Sequence, residues 1–184
     1  YDRAMLKMTA AQRARAEAGG KRPYWRFLLS DATRHWQDQV LGPCHVKLAT
    51  MSDPVLVRAD GTPLHALTSV VDDMALGVTH VVRGEDHVLP TGVQMDLIAA
   101  FGGDPARLVF AHLPGLSAGG GRRGLDELSL RSLRQDGIEP AAVTAYMATL
   151  GTRARPAPCG LGDLAAAFGF AGILPKAGIF DVAA

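Results

Sequence analysis

A short apolar strand followed directly by several polar side chains is the feature that most constrains the fold of this chain. Within residues 78–87, Val81 and Val82 predict a short buried β-strand, and Gly84 ends it. The polar side chains at its carboxyl end are those of Arg83, Glu85, Asp86 and His87. Ligands of open α/β sheets bind outside the carboxyl ends of the strands, so the segment predicts a binding site. The alternative is a surface turn in which Arg83 pairs locally with Asp86, a contact that stabilises a fold only weakly.

Strand and helix patterns alternate around this segment. Apolar residues at helical spacing follow it from Val93 to Phe101. A strand pattern over residues 54–58 and a helix pattern from Pro63 precede it, and another strand pattern covers residues 107–111. This order predicts a parallel α/β sheet.

The predicted sheet brings polar residues together. We expect the strands at 55–57, 81–82 and 109–111 to be parallel neighbours. Parallel strands end at the same edge of a sheet, so Arg83, Asp86 and His112 are expected near one common edge.

Residues 1–50 are interpreted as an appendage to that core. Thr9 and Gln12 fit the capping box of a helix that ends at Gly19, and a strand pattern covers residues 24–29. Residues 36–40 and 44–48 flank a turn at residues 41–43, which predicts a small β element.

A glycine-rich loop at residues 117–124 carries Arg122 and Arg123. Exposed backbone N–H groups and arginine charge suit a phosphate, although the loop does not fit the pattern GxxxxGK[ST]. The alternative is a plain linker. Short helices are predicted beyond it, at residues 128–135, 140–150 and 161–168.

Composition sets the remaining bounds. Nineteen Lys and Arg against 18 Asp and Glu give a net charge of +1, so no global field indicates a nucleic-acid or membrane partner. Cys44 and Cys159 lack the spacing of a zinc site or a disulfide framework, and a reducing, cytoplasmic location is predicted. No apolar run reaches the roughly 18 residues of a membrane span. Because the chain opens on Tyr1 rather than Met, we expect it to be a piece of a longer protein.

Sequence blocks spread over about half of the chain carry a family resemblance. They are residues 60–63 (DGTP), 70–73 (VVDD), 79–87 (THVVRGEDH), 111–114 (AHLP) and 129–140 (SLRSLRQDGIEP). In this order and spacing they resemble the bacterial glutamyl-tRNA synthetases, which are class I aminoacyl-tRNA synthetases. The resemblance implies the C-terminal half of a Rossmann-like α/β catalytic domain at residues 51–116. It also implies the end of an inserted acceptor-binding α+β domain at residues 1–50, and a helical stem-contact region at residues 117–184.

The resemblance further implies a function and the residues that serve it. The reaction is the ATP-dependent activation of glutamate and its transfer to the 3′ end of tRNA(Glu). Mg²⁺ accompanies ATP, no residue is assigned to a resident metal, and the protein is expected to be a monomer. The substrate-binding residues implied are Arg83, which grips the glutamate side-chain carboxylate, and His65 and Ser69. The ATP-binding residues implied are Glu85 and Asp86 beside the ribose and His87 at the adenine, with Thr91 in the next helix.

The chain also departs from the family pattern. The HIGH segment would lie before Tyr1, and the KLSKR-type loop is replaced by a stretch with no lysine from Lys47 to Lys176. Arg122 and Arg123 are assigned the catalytic role of those missing cations. His65 stands where the family has a tyrosine. We therefore expect that these residues alone do not form glutamyl-adenylate.

The departures leave alternative functions open. The first alternative is a degenerate, non-catalytic synthetase paralogue that binds tRNA or a small ligand. The second is an unrelated doubly wound nucleotide-binding domain, which the ordered blocks disfavour.

Overall fold

The structure, a computed structural model, describes residues 3–118, 129–157, 159–176 and 178–180. Its helices are α1 (Ala10–Ala18), α2 (His65–Ala75), α3 (Val88–Ala100), α4 (Leu130–Gln135), α5 (Pro140–Thr149) and α6 (Leu161–Ala167). Its strands are β1 (Trp25–Arg26), β2 (Thr33–Asp38), β3 (Gly42–Lys47), β4 (Val55–Val57), β5 (His80–Gly84), β6 (Val109–Leu113), β7 (Leu116–Ala118) and β8 (Gly178–Phe180). In the described part of the chain, no helix is long and apolar enough to cross a membrane.

Several predicted elements are confirmed. Thr9 and Gln12 form both hydrogen bonds of the capping box at the start of α1. The three helices expected after the glycine-rich loop are α4, α5 and α6. The parallel pairing of β7 with β8 was not predicted.

A four-stranded sheet has the order β3-β2-β6-β5. Strands β2 and β6 are parallel, with Asp38 opposite Phe110. The prediction that the strands at 81–82 and 109–111 are neighbours is confirmed, since β5 lies next to β6.

The prediction that residues 55–57 join this sheet is wrong. Strand β4 pairs antiparallel with β1 in a separate ribbon, where Val57 lies opposite Trp25. Its other edge is occupied as well, because the Leu64 N–H donates to the Leu56 carbonyl and the Arg58 N–H donates to the Thr62 carbonyl. With both edges hydrogen-bonded, β4 has no edge left to offer the larger sheet.

The interpretation of residues 1–50 as an appendage is also wrong. Strands β2 and β3 supply half of the four-stranded sheet. The buried apolar side chains that these residues add to the core are Leu29, Val46 and Leu48, which cluster with Val70, Val93, Leu97 and Ile98. The predicted strand over residues 24–29 shortens to Trp25–Arg26. The assignment of residues 1–50, 51–116 and 117–184 to three synthetase regions stays a prediction.

The chain divides into two compact units. The first comprises Tyr1–Gln37, Pro43–Val81 and His87–Val109. The second comprises Asp38–Gly42, Val82–Asp86 and Phe110–Ala184.

Helix α3 is the central helix of the first unit, because residues 91–98 are all buried. It approaches β3 closely at Gly92, where an added Cβ would lie 2.7 Å from the Cβ of Val46. Any side chain larger than hydrogen would therefore collide with a stiff, β-branched neighbour. The close packing of α3 on β3 depends on this glycine.

Buried carboxylates tie α3 and the loops of the first unit together. Asp96 accepts hydrogen bonds from the Ser30 N–H at 2.9 Å, from the Ser30 hydroxyl at 2.7 Å and from Arg34 at 2.5 Å. Burial raises the pKa of the Asp96 carboxyl, but the Ser30 amide, Arg34 and the Ser30 hydroxyl together hold this pKa below its ordinary value. Asp53 is held in the same way, with both oxygens bound to Arg3 at 2.8 Å and one to the Leu29 N–H.

We expect Gly92→Ala to lower the free energy of unfolding by about 1–3 kcal/mol, because the new methyl group overpacks the contact with Val46. The midpoint of urea denaturation measures the loss. Gly162→Ala is the matched control, since nothing lies within 4 Å of the added Cβ in α6. Equal midpoints for the two variants would contradict the close contact.

Asp96 predicts how stability depends on pH. Its pKa is lower in the folded chain than the value of about 3.9 in the unfolded chain. Its contribution is therefore present above about pH 4 and is lost as the pH falls through the folded pKa. We expect Asp96→Asn to lower the free energy of unfolding by about 3 kcal/mol at neutral pH. The free energy of unfolding of the variant should also depend less steeply on pH in the acid range.

Urea denaturation across the acid range tests this dependence. Asp31→Asn, which changes an exposed carboxylate, is the control and should follow the unsubstituted chain. A variant at Asp96 that keeps the full acid dependence would overturn the assignment.

Candidate functional site

The polar segment lies where the backbone changes from strand β5 to a 3₁₀ turn and then to a helix. Strand β5 ends at Gly84, the 3₁₀ turn Glu85–His87 follows, and α3 begins at Val88. Arg83 lies half-buried near the end of the strand, and Glu85 and Asp86 are exposed on the turn. The predicted site therefore starts where the strand stops. The prediction that this strand is buried is wrong, because Val82 is 48% exposed.

Arg83 and His112 meet at one edge, as predicted. The Arg83 Nε–H donates to Nε2 of His112 over 3.3 Å. The Arg83 guanidinium also lies over the ring of Phe110, 6.0 Å from its centroid. A histidine and an aromatic face thus fix the direction in which the planar guanidinium points.

His112 is in turn held by Asp38, at the end of β2. The Asp38 Oδ2 lies 2.5 Å from Nδ1 of His112, and both side chains are 0% exposed. The Asp38 Oδ1 accepts from the backbone N–H groups of Val40, Leu41 and His112 at 3.0–3.1 Å. Burial raises the pKa of the Asp38 carboxyl, but the His112 side chain and these amides outweigh it and hold the pKa below its ordinary value.

These contacts define which nitrogen of the His112 ring donates and which accepts. Asp38 is ionised and can only accept, so Nδ1 of His112 carries the proton. The Arg83 Nε–H can only donate, so Nε2 of His112 presents its lone pair. His112 therefore donates to Asp38 through Nδ1 and accepts from Arg83 through Nε2.

Glu85 and Asp86 have different surroundings. The Glu85 Oε1 accepts from the Gly115 N–H at 2.9 Å, so it joins the turn after β5 to the segment after β6. The Asp86 carboxylate folds back over Gly84, where an added Cβ would lie 2.5 Å from Oδ1. Their prediction as a ribose-binding pair remains a prediction.

The other predicted site residues lie in the first unit. The rings of His65 and His87 meet edge to face, with centroids 6.2 Å apart. The Ser69 hydroxyl accepts from Nε2 of Gln94 at 2.8 Å, and the Thr91 hydroxyl donates to the His87 carbonyl at 2.9 Å. The substrate-binding roles of His65 and Ser69 and the adenine-binding role of His87 stay predictions.

Arg122 and Arg123 lie outside the described residues, so their catalytic role stays a prediction. Within residues 3–118, 129–157, 159–176 and 178–180, no group of three or more His, Cys, Asp or Glu side chains is arranged to hold a metal ion.

Sequence reasoning missed Asp38. The residue stands 74 positions before His112 and ends a polar strand that carries no motif. The local signal is the short turn that follows it, where its carboxylate accepts from the backbone N–H groups of Val40 and Leu41.

Comparisons with known proteins agree on one family. Residues 1–155 match the family described as tRNA synthetases class I (E and Q), catalytic domain. Glutamate–tRNA ligase 2 of Gluconacetobacter diazotrophicus is 56% identical over 185 residues, covering 99% of this chain and 42% of the relative. Glutamate–tRNA ligase 2 of Granulibacter bethesdensis is 56% identical over 184 residues, covering 98% of this chain and 41% of the relative. The chain thus spans about two fifths of the length of these relatives.

A solved structure matches the fold. A glutamate tRNA ligase from Elizabethkingia meningosepticum, crystallised with its amino acid, superposes with a TM-score of 0.79 at 21% identity. The match covers 97% of this chain and 40% of that one. It confirms the predicted α/β fold class.

The hydrogen bond between Glu85 and Gly115 can be tested by amide exchange. We expect Glu85→Ala to speed hydrogen exchange of the Gly115 N–H about fivefold, the equivalent of about 1 kcal/mol lost from one hydrogen bond. NMR of the labelled protein measures it. Asp86→Ala is the control, because the Asp86 carboxylate lies against Gly84. Unchanged exchange in Glu85→Ala would contradict the bond.

Proposed function

Because this chain belongs to the family of class I tRNA synthetase catalytic domains for glutamate (E) and glutamine (Q), we propose that it is part of a glutamate–tRNA ligase. The observation that carries the proposal is Arg83, a half-buried arginine whose guanidinium is oriented by His112 at the end of β5. The names of the relatives support glutamate as the amino acid.

Arg83 suits the side-chain carboxylate of glutamate. A guanidinium binds a carboxylate through two parallel N–H bonds, and the two terminal amino groups can form both. Such binding does not use the Nε–H, which donates to His112. The contact with His112 is therefore compatible with a carboxylate that lies in the guanidinium plane and binds both terminal amino groups.

The reaction proceeds in two steps in this proposal. The α-carboxylate of glutamate attacks the α-phosphorus of ATP, so that glutamyl-adenylate forms and pyrophosphate leaves. The hydroxyl at the 3′ end of tRNA(Glu) then attacks the acyl carbon, and AMP leaves. Both steps depend on positioning and on neutralising phosphate charge.

The remaining residues take roles around these substrates. Arg83 holds the γ-carboxylate, and His65 and Ser69 are assigned to substrate binding as well. Glu85 and Asp86 lie at the ribose and His87 at the adenine. ATP enters with Mg²⁺ on its phosphates, and Arg122 and Arg123 neutralise the phosphates in place of lysine. A monomer in the cytoplasm remains our prediction.

One observation favours a second candidate function. No lysine lies between Lys47 and Lys176, so the loop that should carry phosphate-binding lysines has only arginines. A non-catalytic paralogue that binds tRNA or glutamate would tolerate this loss. Glutamate-dependent pyrophosphate exchange by the whole protein that contains this chain separates the two functions, because only the ligase supports exchange.

We expect Arg83→Lys in the whole protein to weaken glutamate binding at least about tenfold, or about 1.4 kcal/mol, because lysine keeps the charge but loses the fork. Arg83→Ala should cost more, while ATP affinity stays nearly unchanged. Calorimetric titration with each substrate measures both affinities.

Arg107→Lys is the matched control for this experiment, since it makes the same change at an exposed arginine. A lowered melting temperature with unchanged glutamate affinity in Arg83→Lys would show that Arg83 is a structural tie and would overturn its role in binding.

A further inference from the structure

We propose that Asp38 and His112 are positioning residues that hold the Arg83 guanidinium in the orientation in which it receives the substrate carboxylate. The inference deepens the proposed function and rests on it. Neither residue was assigned a role in binding by the sequence, and neither is placed against the substrate here.

The first step is the connection between the three side chains. Asp38 contacts Nδ1 of His112 at 2.5 Å, and His112 contacts the Arg83 Nε–H at 3.3 Å through its other nitrogen. Each ring nitrogen is therefore engaged by one neighbour. A histidine whose two nitrogens are both engaged cannot rotate without breaking a bond.

The second step is direction. The hydrogen bond made by one ring nitrogen determines which nitrogen carries the proton. Because Asp38 accepts from Nδ1, the lone pair of His112 must lie on Nε2, where the Arg83 Nε–H meets it. Asp38 thus controls whether His112 attracts or repels Arg83, and it does so through the ring that contacts both side chains.

The third step is the cost of the arrangement. The side chains of Asp38 and His112 are fully buried, and burying an ionised carboxylate is expensive unless it is hydrogen-bonded. Asp38 has three backbone amides on Oδ1 alone, which would already secure the end of β2. A purely local turn does not require the further contact of Oδ2 with His112, the ring that also contacts Arg83.

Asp38→Asn tests the proposal with almost no change of shape. Its amide oxygen can keep the three backbone N–H bonds on the Oδ1 side, which turns the NH₂ group toward His112. The NH₂ group can only donate, so Nδ1 of His112 must accept and the proton moves to Nε2. Two donors then face each other at the contact between His112 and Arg83. An amide that replaces a histidine-orienting aspartate is known to reverse the tautomer in this way.

We expect Asp38→Asn in the whole protein to raise the KM for glutamate about tenfold in pyrophosphate exchange, the equivalent of one lost hydrogen bond. The KM for ATP should remain as it was, and kcat should change much less than the KM for glutamate. Asp104→Asn is the matched control, because Asp104 also accepts a backbone amide, that of Ala106.

The protonated nitrogen of the His112 ring can be measured independently of enzymatic activity. Nitrogen-15 NMR of labelled protein should show His112 protonated on Nδ1 before the substitution and on Nε2 in Asp38→Asn. Protonation on Nε2 in the unsubstituted protein would overturn the proposal, as would an unchanged KM for glutamate in Asp38→Asn.

A double-variant cycle separates this inference from the proposed function. If Asp38 acts through Arg83, Asp38→Asn should have no further effect on glutamate affinity once Arg83→Ala is present. Full additivity of the two substitutions would overturn the positioning role alone. Unchanged affinity in Arg83→Ala would instead overturn the proposed role of Arg83 in binding glutamate.

Discussion

The buried hydrogen bond between Asp38 and His112 is the interaction on which the polar edge of the second unit depends. An ionised carboxylate away from water must be hydrogen-bonded, and Asp38 is bound by three backbone amides and one ring nitrogen. These partners secure the turn after β2, its parallel neighbour β6 and, through the ring, Arg83 of β5. Removing the carboxylate would therefore disturb a strand end, a turn and a guanidinium together.

The first unit uses buried carboxylates in a different way. Asp53 and Asp96 each accept from an arginine as well as from backbone amides, so a fixed positive charge lies beside each of them. Their role is to secure loops, because the amides they bind belong to Leu29 and Ser30 on one connecting segment. Asp38 has the His112 ring in place of an arginine, and that ring in turn contacts Arg83.

The parts predicted from the sequence are those with strong local patterns. The neighbouring strands β5 and β6 and the meeting of Arg83 with His112 follow from apolar runs and the topology rule for parallel sheets. Strands β2 and β3 were predicted as a small β element outside the core, because the sequence TRHWQD of β2 is mostly polar and resembles a surface hairpin. Strand β4 was misplaced because pairing partners are not encoded in a short apolar run. Asp38 was missed because its partner lies 74 residues away.

The restraint on Arg83 has an entropic consequence. A solvated arginine side chain carries about 2 kcal/mol of rotamer freedom, and a ligand that immobilises it must offset the loss. Here His112 and Phe110 already restrict the guanidinium. Much of that ordering is therefore complete when the chain folds, and an incoming carboxylate has less disorder to remove. In the proposed function, affinity for a substrate as small as one amino acid would depend on that prior ordering.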